Sequence, residues 1–505
     1  MNRMNRRELI KAGLAGGSAL VSKNVYAAAK GRCKYPNVLW IMMDDGRADA
    51  VGCYGKSWAA TPNMDQLARR GVRFAKAVVQ NPVCVPSRKS MQSGYYAHRC
   101  GPIAMGKPAI SPGRYTKKTR GDLPNLLTYW KKVGIQPVNV GKIHAYKRDW
   151  LNKGDRPALV DFLGRPRGPQ AEKYFDAADF EYKPVNIKTH RWMIGGVVPY
   201  RPEDTQTWRL GDLGVQTLKD LIAAERPFFL RVSFHAPHVP CRVPKEFFID
   251  PARISLPVPS EAELNSKPRF EREQLRIYAG GLDLTEEQIG TCRGTYYGMV
   301  SLVDAQVGRL VRVLRRAGLL DSTIIAINSD QGFQLGEHGL WKKRVLYDQN
   351  VCVPFILSCP GLLPAGRVVT EPVEMIDFIP TLMELAGLSV PEQIDGRSLL
   401  PLIHGTCKNW RGATFCEIDH SASMYEELRG RSGRRVMVRT KDWKLIYFMD
   451  ERVDDKDGAL YNLKDDPEEK VNLYGQPQYT AVVSRLEELA EKWDQGRLSR
   501  PPRSL

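Results

Sequence analysis

What this 505-residue chain lacks narrows its chemistry before anything else does. No two cysteines form a C-x-x-C pair, which argues against a zinc ribbon or a thioredoxin-type redox site. The ten cysteines (33, 53, 84, 100, 241, 292, 352, 359, 407 and 416) are too sparse for a disulfide scaffold. They leave room for one or two bridges in an oxidising compartment, with no pairing specified. No segment reaches the roughly 18 consecutive apolar residues of a membrane span, so stable membrane insertion is not expected. No Lys/Arg run has the length or aromatic interleaving of a nucleic-acid groove, so nucleic acid is not an expected partner. Internal repeats and low-complexity tracts are also missing.

What is present is a globular balance, with 43% hydrophobic and 26% charged residues. Lys and Arg number 75 against 56 Asp and Glu, a net charge of +19. Such a surface attracts polyanions, or is simply basic and soluble. At the N-terminus, Asn5-Arg6-Arg7-Glu8-Leu9-Ile10-Lys11 precedes a mildly apolar, Gly/Ala-rich stretch and then Ala27-Ala28-Ala29. This resembles a twin-arginine export signal over residues 1–29, the alternative being a plain amphipathic helix. It implies the twin-arginine export machinery as a partner and a periplasmic or secreted destination.

From residue 34 the pattern alternates strand and helix. Val38-Leu39-Trp40-Ile41-Met42-Met43 is a continuous apolar run, the mark of a strand buried on both faces, and it ends in Asp44-Asp45-Gly46. Helical spacing follows over 61–71 and 123–133, a strand over 136–140, a helix over 215–224 and a strand over 228–234. A long amphipathic helix over 296–317 feeds a strand over 323–327 that ends near Asp330, and a strand at 354–357 and a helix at 377–386 follow. This order predicts an α/β fold with a large, mostly parallel central sheet flanked by helices. Open α/β sheets place their chemistry at the carboxyl ends of the strands, where the acidic residues fall. Residues 145–205 and 241–290 are long, Pro/Arg/Gly-rich insertions expected to face substrate. The catalytic unit is read as 34–405. Short strands near 435–439 and 444–448 and a helix over 479–494 make 410–505 a smaller C-terminal subdomain of antiparallel sheet and helix.

The stretch that carries chemistry is Pro82-Val83-Cys84-Val85-Pro86-Ser87-Arg88, with Gly94 ten residues after the cysteine. Taken alone, Cys84 could be a buried thiol at a turn, and Arg88 has the fork that matches tetrahedral oxyanions. Adjacent carboxylates such as Asp44-Asp45 repel unless a cation sits between them. A second strand end carries Asp330 and Gln331, in Ser329-Asp330-Gln331-Gly332. The set is completed by Gly141-Lys142-Ile143-His144, by Ser233-Phe234-His235-Ala236-Pro237-His238, and by Lys343 after Leu335-Gly336-Glu337-His338-Gly339.

These motifs, in this order over nearly the whole mature chain, resemble the formylglycine-dependent sulfatases (type I, alkaline-phosphatase-like). The family's usual Leu-Thr-Gly is replaced here by Gln92-Ser93-Gly94. The segment from Asp45-Gly46-Arg47 to Gly52-Cys53-Tyr54-Gly55 is similar to the branch holding iduronate sulfatases and many bacterial glycan sulfatases. The resemblance implies that Cys84 is converted to formylglycine by a formylglycine-generating enzyme. It also implies one Ca²⁺ ion held by Asp44, Asp45, Asp330, Gln331 and residue 84. The hydrated aldehyde would attack sulfur with one hydroxyl and keep the other for release of sulfate. Arg88 would orient the hydrate, and Lys142 and Lys343 would bind sulfate oxygens. His238 would protonate the leaving alkoxide, and His144 would take the proton of the second hydroxyl. Lys342 competes with Lys343 for its role, and Gln331 is longer than the family's usual Asn or His. His98, His235 and His338 are read as structural. The expected substrate is a sulfated glycan or a small sulfate ester. The alternatives are a phosphonate monoester or phosphodiester hydrolase using the same nucleophile, and an inactive polyanion-binding homologue. Arg201, Arg242, Arg431, Arg434 and Arg435 are candidates for contacting a glycan chain.

Overall fold

The computed structural model describes residues 35–55, 58–100, 125–146, 149–153, 185–186, 193–275, 284–419, 433–449 and 457–496. The export-signal expectation, Arg431 and much of the first insertion lie outside these residues.

An eight-stranded sheet organises the molecule. Its strands are β1 (Asn37–Asp44), β2 (Val72–Phe74), β3 (Pro137–Gly141), β4 (Leu151–Lys153), β5 (Phe229–Pro237), β6 (Thr323–Ser329), β7 (Phe355–Ser358) and β8 (Arg367–Val369). They are ordered β8-β2-β7-β6-β1-β5-β3-β4. Pairings from β6 through β4 are parallel, whereas β7 runs antiparallel to both β6 and β2. The expected mostly parallel sheet is therefore present, with an antiparallel turn toward one edge.

β1 is central because both of its faces are apolar. Val38, Trp40 and Met42 enter one core, Leu39, Ile41 and Met43 the other, and all six are fully buried. The second core is closed by α1 (Pro62–Arg70), α3 (Gln206–Ala223) and α4 (Glu286–Arg316). α4 starts at a capping box, in which the Thr285 hydroxyl accepts from the Gln288 amide while Gln288 accepts from the Thr285 amide. It begins ten residues earlier than the apolar spacing suggests, since it opens on the polar Glu286-Glu287-Gln288 and carries glycines at 290 and 294. α2 (Cys84–Ser93) stops where Gly94 takes φ 75°, a left-handed cap. α5 (Phe378–Leu385) packs in the first core.

A four-stranded antiparallel sheet, β9 (Thr414–Asp419), β10 (Arg434–Arg439), β11 (Trp443–Phe448) and β12 (Ala459–Asn462), is covered by α6 (Thr480–Asp494). Its apolar layer holds Val436, Val438, Leu445, Leu460, Leu486 and Trp493. Arg434 and Arg435 do not reach solvent as candidate glycan contacts. Arg434 pairs with Glu417 and Asp494, and Arg435 with Glu271, so burial takes both out of contact with a substrate chain. The nine cysteines among the described residues are all free thiols.

Glu417 also accepts from His98 at 2.8 Å. Burial raises its carboxyl, but His98 and Arg434 outweigh this and hold it at about 2. A depressed carboxyl stabilises the fold above its unfolded pKa and loses that contribution as pH falls toward its folded value. Glu417→Gln is accordingly expected to cost about 3 kcal/mol at pH 7, because the buried Arg434 guanidinium loses one of its two carboxylate partners and His98 its charged acceptor. Thermal melting should show the gap to wild type narrowing as pH drops from about 4 toward 2.

Candidate active site

Parallel register brings the candidate residues together at the carboxyl ends of the central strands. Met43 lies opposite Ser329, so Asp44-Asp45 and Asp330-Gln331 leave β1 and β6 side by side. Ser233 on β5 lies opposite Met42 on one side and Gly141 on the other, which carries Lys142 and the segment leading to His238 to the same place. Gly141 has φ 90°, and a Cβ there would sit 2.2 Å from the Ser233 carbonyl oxygen, so only glycine fits.

Cys84 is the first residue of α2, 2% exposed, with its sulfur facing a ring of donors. Lys343 Nζ lies 3.1 Å from Sγ, Gln331 Nε2 3.3 Å and Lys142 Nζ 3.8 Å. Burial works against ionisation of the thiol, yet Lys142 and Lys343 hold it well below the usual thiol range, aided by a His144 hydrogen bond. Position 84 is thus a place that favours negative charge. One turn along α2, fully buried Arg88 donates Nε to Asp330 Oδ2 at 2.6 Å and Nη1 to the Lys142 carbonyl and Ser233 Oγ. Ser87 hydrogen-bonds the Asp330 carbonyl.

Asp44, Asp45, Asp330 and Gln331 are fully buried. Asp44 pairs with Lys142 and is held well below the usual carboxylate range, burial opposing and Lys142, His238 and Arg88 prevailing. Asp45 Oδ1 accepts from Lys343 at 2.8 Å and from Gln331. Its Oδ2 has no hydrogen-bond partner, nor does Gln331 Oε1. Two orphaned, buried oxygen acceptors beside paired carboxylates fit a hard divalent cation. Ligand atoms of Asp44, Asp45, Cys84 and His238 lie within 4.8 Å of one another. His238, expected only as a proton carrier, thus joins this group. The Asp330 carboxylate is instead taken by Arg88 and by the backbone amides of Asp45 and Gln331. Gln331 turns Nε2, not Oε1, toward Asp45, so as a cation ligand it would present the other face of its amide.

His144 lies against Cys84, and burial lowers its imidazole. His238 Nδ1 lies 2.5 Å from the Val239 carbonyl, which makes it the donor and leaves Nε2 facing Asp45 Oδ2 at 3.9 Å. Lys343, not Lys342, extends its amine to residue 84. Lys342 is buried elsewhere, and burial pulls its ammonium down to about 7. His98 and His338 are held by Glu417 and Glu263 and take no part in this cluster. Asp45, His144, Lys342 and Arg344 all have positive φ, and such backbone strain concentrates at functional sites.

Two contributors were not singled out from sequence. Ser233 lay inside a quoted motif, and its place opposite both β1 and β3 is set by register. Tyr296 hydrogen-bonds the Asp45 carbonyl from 251 positions away, and nothing in its local sequence marks it.

Comparison with known proteins agrees with this geometry. The sulfatase family model matches residues 36–388, and a model for the N-sulphoglucosamine sulphohydrolase C-terminal region matches 336–495. Human iduronate 2-sulfatase (Homo sapiens) is 30% identical over 432 residues, spanning 76% of this chain and 75% of that protein. The Clostridium perfringens arylsulfatase is 26% identical over 485 residues, covering 92% of this chain and 95% of the relative. Among solved structures, a phosphonate monoester hydrolase from Silicibacter pomeroyi superposes with TM-score 0.73 at 27% identity, covering 92% of this chain and 96% of that one. Among the described residues, no helix is long and apolar enough to cross a membrane. A family match over most of the chain, with carboxylates, lysines and histidines gathered around Cys84 at the carboxyl ends of the central strands, places this chain in the sulfatase family, as a sulfuric-ester hydrolase.

Proposed function

We propose that this enzyme hydrolyses sulfate esters of carbohydrates, using a formylglycine made from Cys84. The observation that carries the reading is the pair of ammonium groups, Lys142 and Lys343, converging on residue 84 beside paired carboxylates. Hydrated formylglycine supplies a hydroxyl nucleophile together with a second hydroxyl from which sulfate can later be expelled. A Ca²⁺ ion held by Asp44, Asp45, Gln331 and residue 84, with Asp330 alongside, would supply Lewis-acid polarisation.

The side chains do the rest. Three carboxylates (Asp44, Asp45, Asp330) face three cations (Arg88, Lys142, Lys343), so a divalent ion leaves the site positive and receptive to an anionic ester. Lys142 and Lys343 bind sulfate oxygens, which carry negative charge that would otherwise repel the nucleophile. Arg88 ties Asp330 to the Lys142 carbonyl and Ser233 Oγ through two sides of its fork, one helical turn from residue 84. With Nδ1 held by Val239, His238 has Nε2 available to protonate the leaving oxygen. His144, on residue 84, takes the proton of the second hydroxyl.

A glycan substrate is supported by the relatives. A Bacteroides thetaiotaomicron protein named N-acetylglucosamine-6-O-sulfatase is 26% identical over 527 residues. Residues 1–29 are proposed as a twin-arginine signal, which places the enzyme in the periplasm or outside the cell. Because that route carries folded proteins, conversion of Cys84 would precede export. The chain is likewise proposed to divide into a catalytic unit over 34–405 and a C-terminal subdomain over 410–505.

The likeness to a phosphonate monoester hydrolase favours a second reading, hydrolysis of a phosphorus ester with the same nucleophile. Rates on an aryl sulfate, an aryl phosphodiester and a panel of defined sulfated saccharides separate the two. The expected result is a kcat/KM at least about 100-fold higher on one sulfated saccharide, a difference of ~2.7 kcal/mol in transition-state binding. Turnover of the phosphorus ester alone would sink the sulfatase reading.

A further inference from the structure

Two motifs noted in the sequence, Asp45-Gly46-Arg47 and Gly336-Glu337-His338-Gly339, have part of their residues unused by the chemistry above, yet these residues meet. Arg47 Nη1 and Arg293 Nη1 each donate to Glu337 Oε1 at 2.8 Å, while Glu337 Oε2 accepts from the Leu335 amide at 2.8 Å. Arg47 also grips Asp49 with two hydrogen bonds and reaches the Phe333 carbonyl. One turn along α4 from Arg293, the Tyr296 hydroxyl donates to the Asp45 carbonyl at 2.6 Å and accepts from the Arg47 amide at 3.0 Å. The arginine side chains are 3% exposed and Glu337 14%. Burial would raise the Glu337 carboxyl, but Arg47 and Arg293 hold it well below the usual range, so it stays charged.

The clamp joins three segments: the loop after β1, the loop after β6, and α4. The first carries Asp44-Asp45. The second carries Gln331 before the clamp and Lys343 after it. Asp45 has φ 66°, a left-handed conformation uncommon outside glycine, and it is the residue whose Oδ2 lacks a hydrogen-bond partner. Its backbone is fixed on the C-terminal side by Tyr296, through its own carbonyl and through the Arg47 amide, while its own amide donates to Asp330.

We propose that Glu337 and Tyr296 are positioning residues that hold Asp45 in register with Gln331 and Lys343, and so set the affinity of the site for its cation. This rests on the reading of Asp44 and Asp45 as cation ligands. Residues that orient ligands from behind commonly change metal affinity by about 10–100-fold when altered. A buried ion pair with only a structural role would lower stability and leave affinity alone.

The test is calorimetric titration of CaCl₂ into the full-length wild type and into three variants, with melting temperatures recorded alongside. Glu337→Gln keeps the shape and removes the charge, and is expected to bind Ca²⁺ about 10–100-fold more weakly. Tyr296→Phe, which removes only the hydroxyl, should weaken binding in the same direction, and it decides the matter if Glu337→Gln does not fold. Glu417→Gln, far along the chain in β9, should melt lower and bind Ca²⁺ like wild type. If Glu337→Gln and Tyr296→Phe melt lower yet keep wild-type Ca²⁺ affinity, the clamp is structural only and the proposal is overturned. If the wild type itself binds no Ca²⁺, the cation reading fails, and this proposal with it.

Discussion

Replacing Cys84 by alanine is expected to reduce turnover by roughly 10⁵-fold or more, on the scale seen when a covalent nucleophile is removed. The effect should be confined to chemistry. The Cys84 side chain is small, and the polar neighbours of its sulfur, Lys142, Gln331 and Lys343, each keep a carboxylate partner in Asp44 or Asp45. Melting should therefore change little, and a sulfated substrate should still bind. Cys84→Ser should fail as severely, since a serine hydroxyl in place of the hydrate cannot expel sulfate. Wild-type protein made in cells without the converting enzyme should behave like the alanine variant: folded, able to bind anions and nearly inactive. Steady-state rates and ligand binding on the same preparations check all three.

Removing the cation should cost about 10³-fold in kcat, equivalent to several kcal/mol of charge stabilisation in the transition state. The loss has two parts. The direct part is polarisation of the ester and of residue 84. The indirect part is that Asp44 and Asp45, both fully buried, would draw Lys142 and Lys343 onto themselves and away from sulfate oxygens. Activity measured after exhaustive chelation should fall accordingly and return on adding Ca²⁺. A rate unaffected by chelation, with metal analysis confirming removal, would contradict the assignment.

How much of this was legible in the sequence follows from what is local and what is not. β1 could be read because six apolar residues in a row, buried on both faces, leave no other economical placement. The motifs around Cys84, Lys142, His238 and Asp330 could be read because each sits just past a strand end or at a helix start, where a few neighbouring residues fix the backbone. The beginning of α4 was hidden because it opens on the polar Glu286-Glu287-Gln288, and Gly290 and Gly294 interrupt the stripe that Ile289 and Cys292 start. The antiparallel direction of β7 was hidden as well, because strand direction is decided by connections and not by residues 354–357 themselves. Burial of Arg434 and Arg435 was invisible for the same reason: their acidic partners, Glu417 and Glu271, arrive from β9 and from the second insertion. Glu337 and Tyr296 show the limit most sharply. Neither has a local pattern that announces its partner, and only the fold brings them to Arg47 and Asp45. That Lys343 and not Lys342 reaches residue 84 was hidden for the same reason: the backbone turns through positive φ at Lys342 and aims the next side chain there.

The central claim is that residue 84 works as an aldehyde and not as a thiol. Mass spectrometry of the tryptic peptide Ala77–Arg88 from active enzyme tests it most directly. The account predicts a peptide roughly 18 Da lighter than the encoded sequence, whereas the ordinary thiol oxidations add mass. The lighter fraction should rise in proportion to specific activity across preparations. Fully active enzyme whose peptide carries an unmodified Cys84 would contradict it.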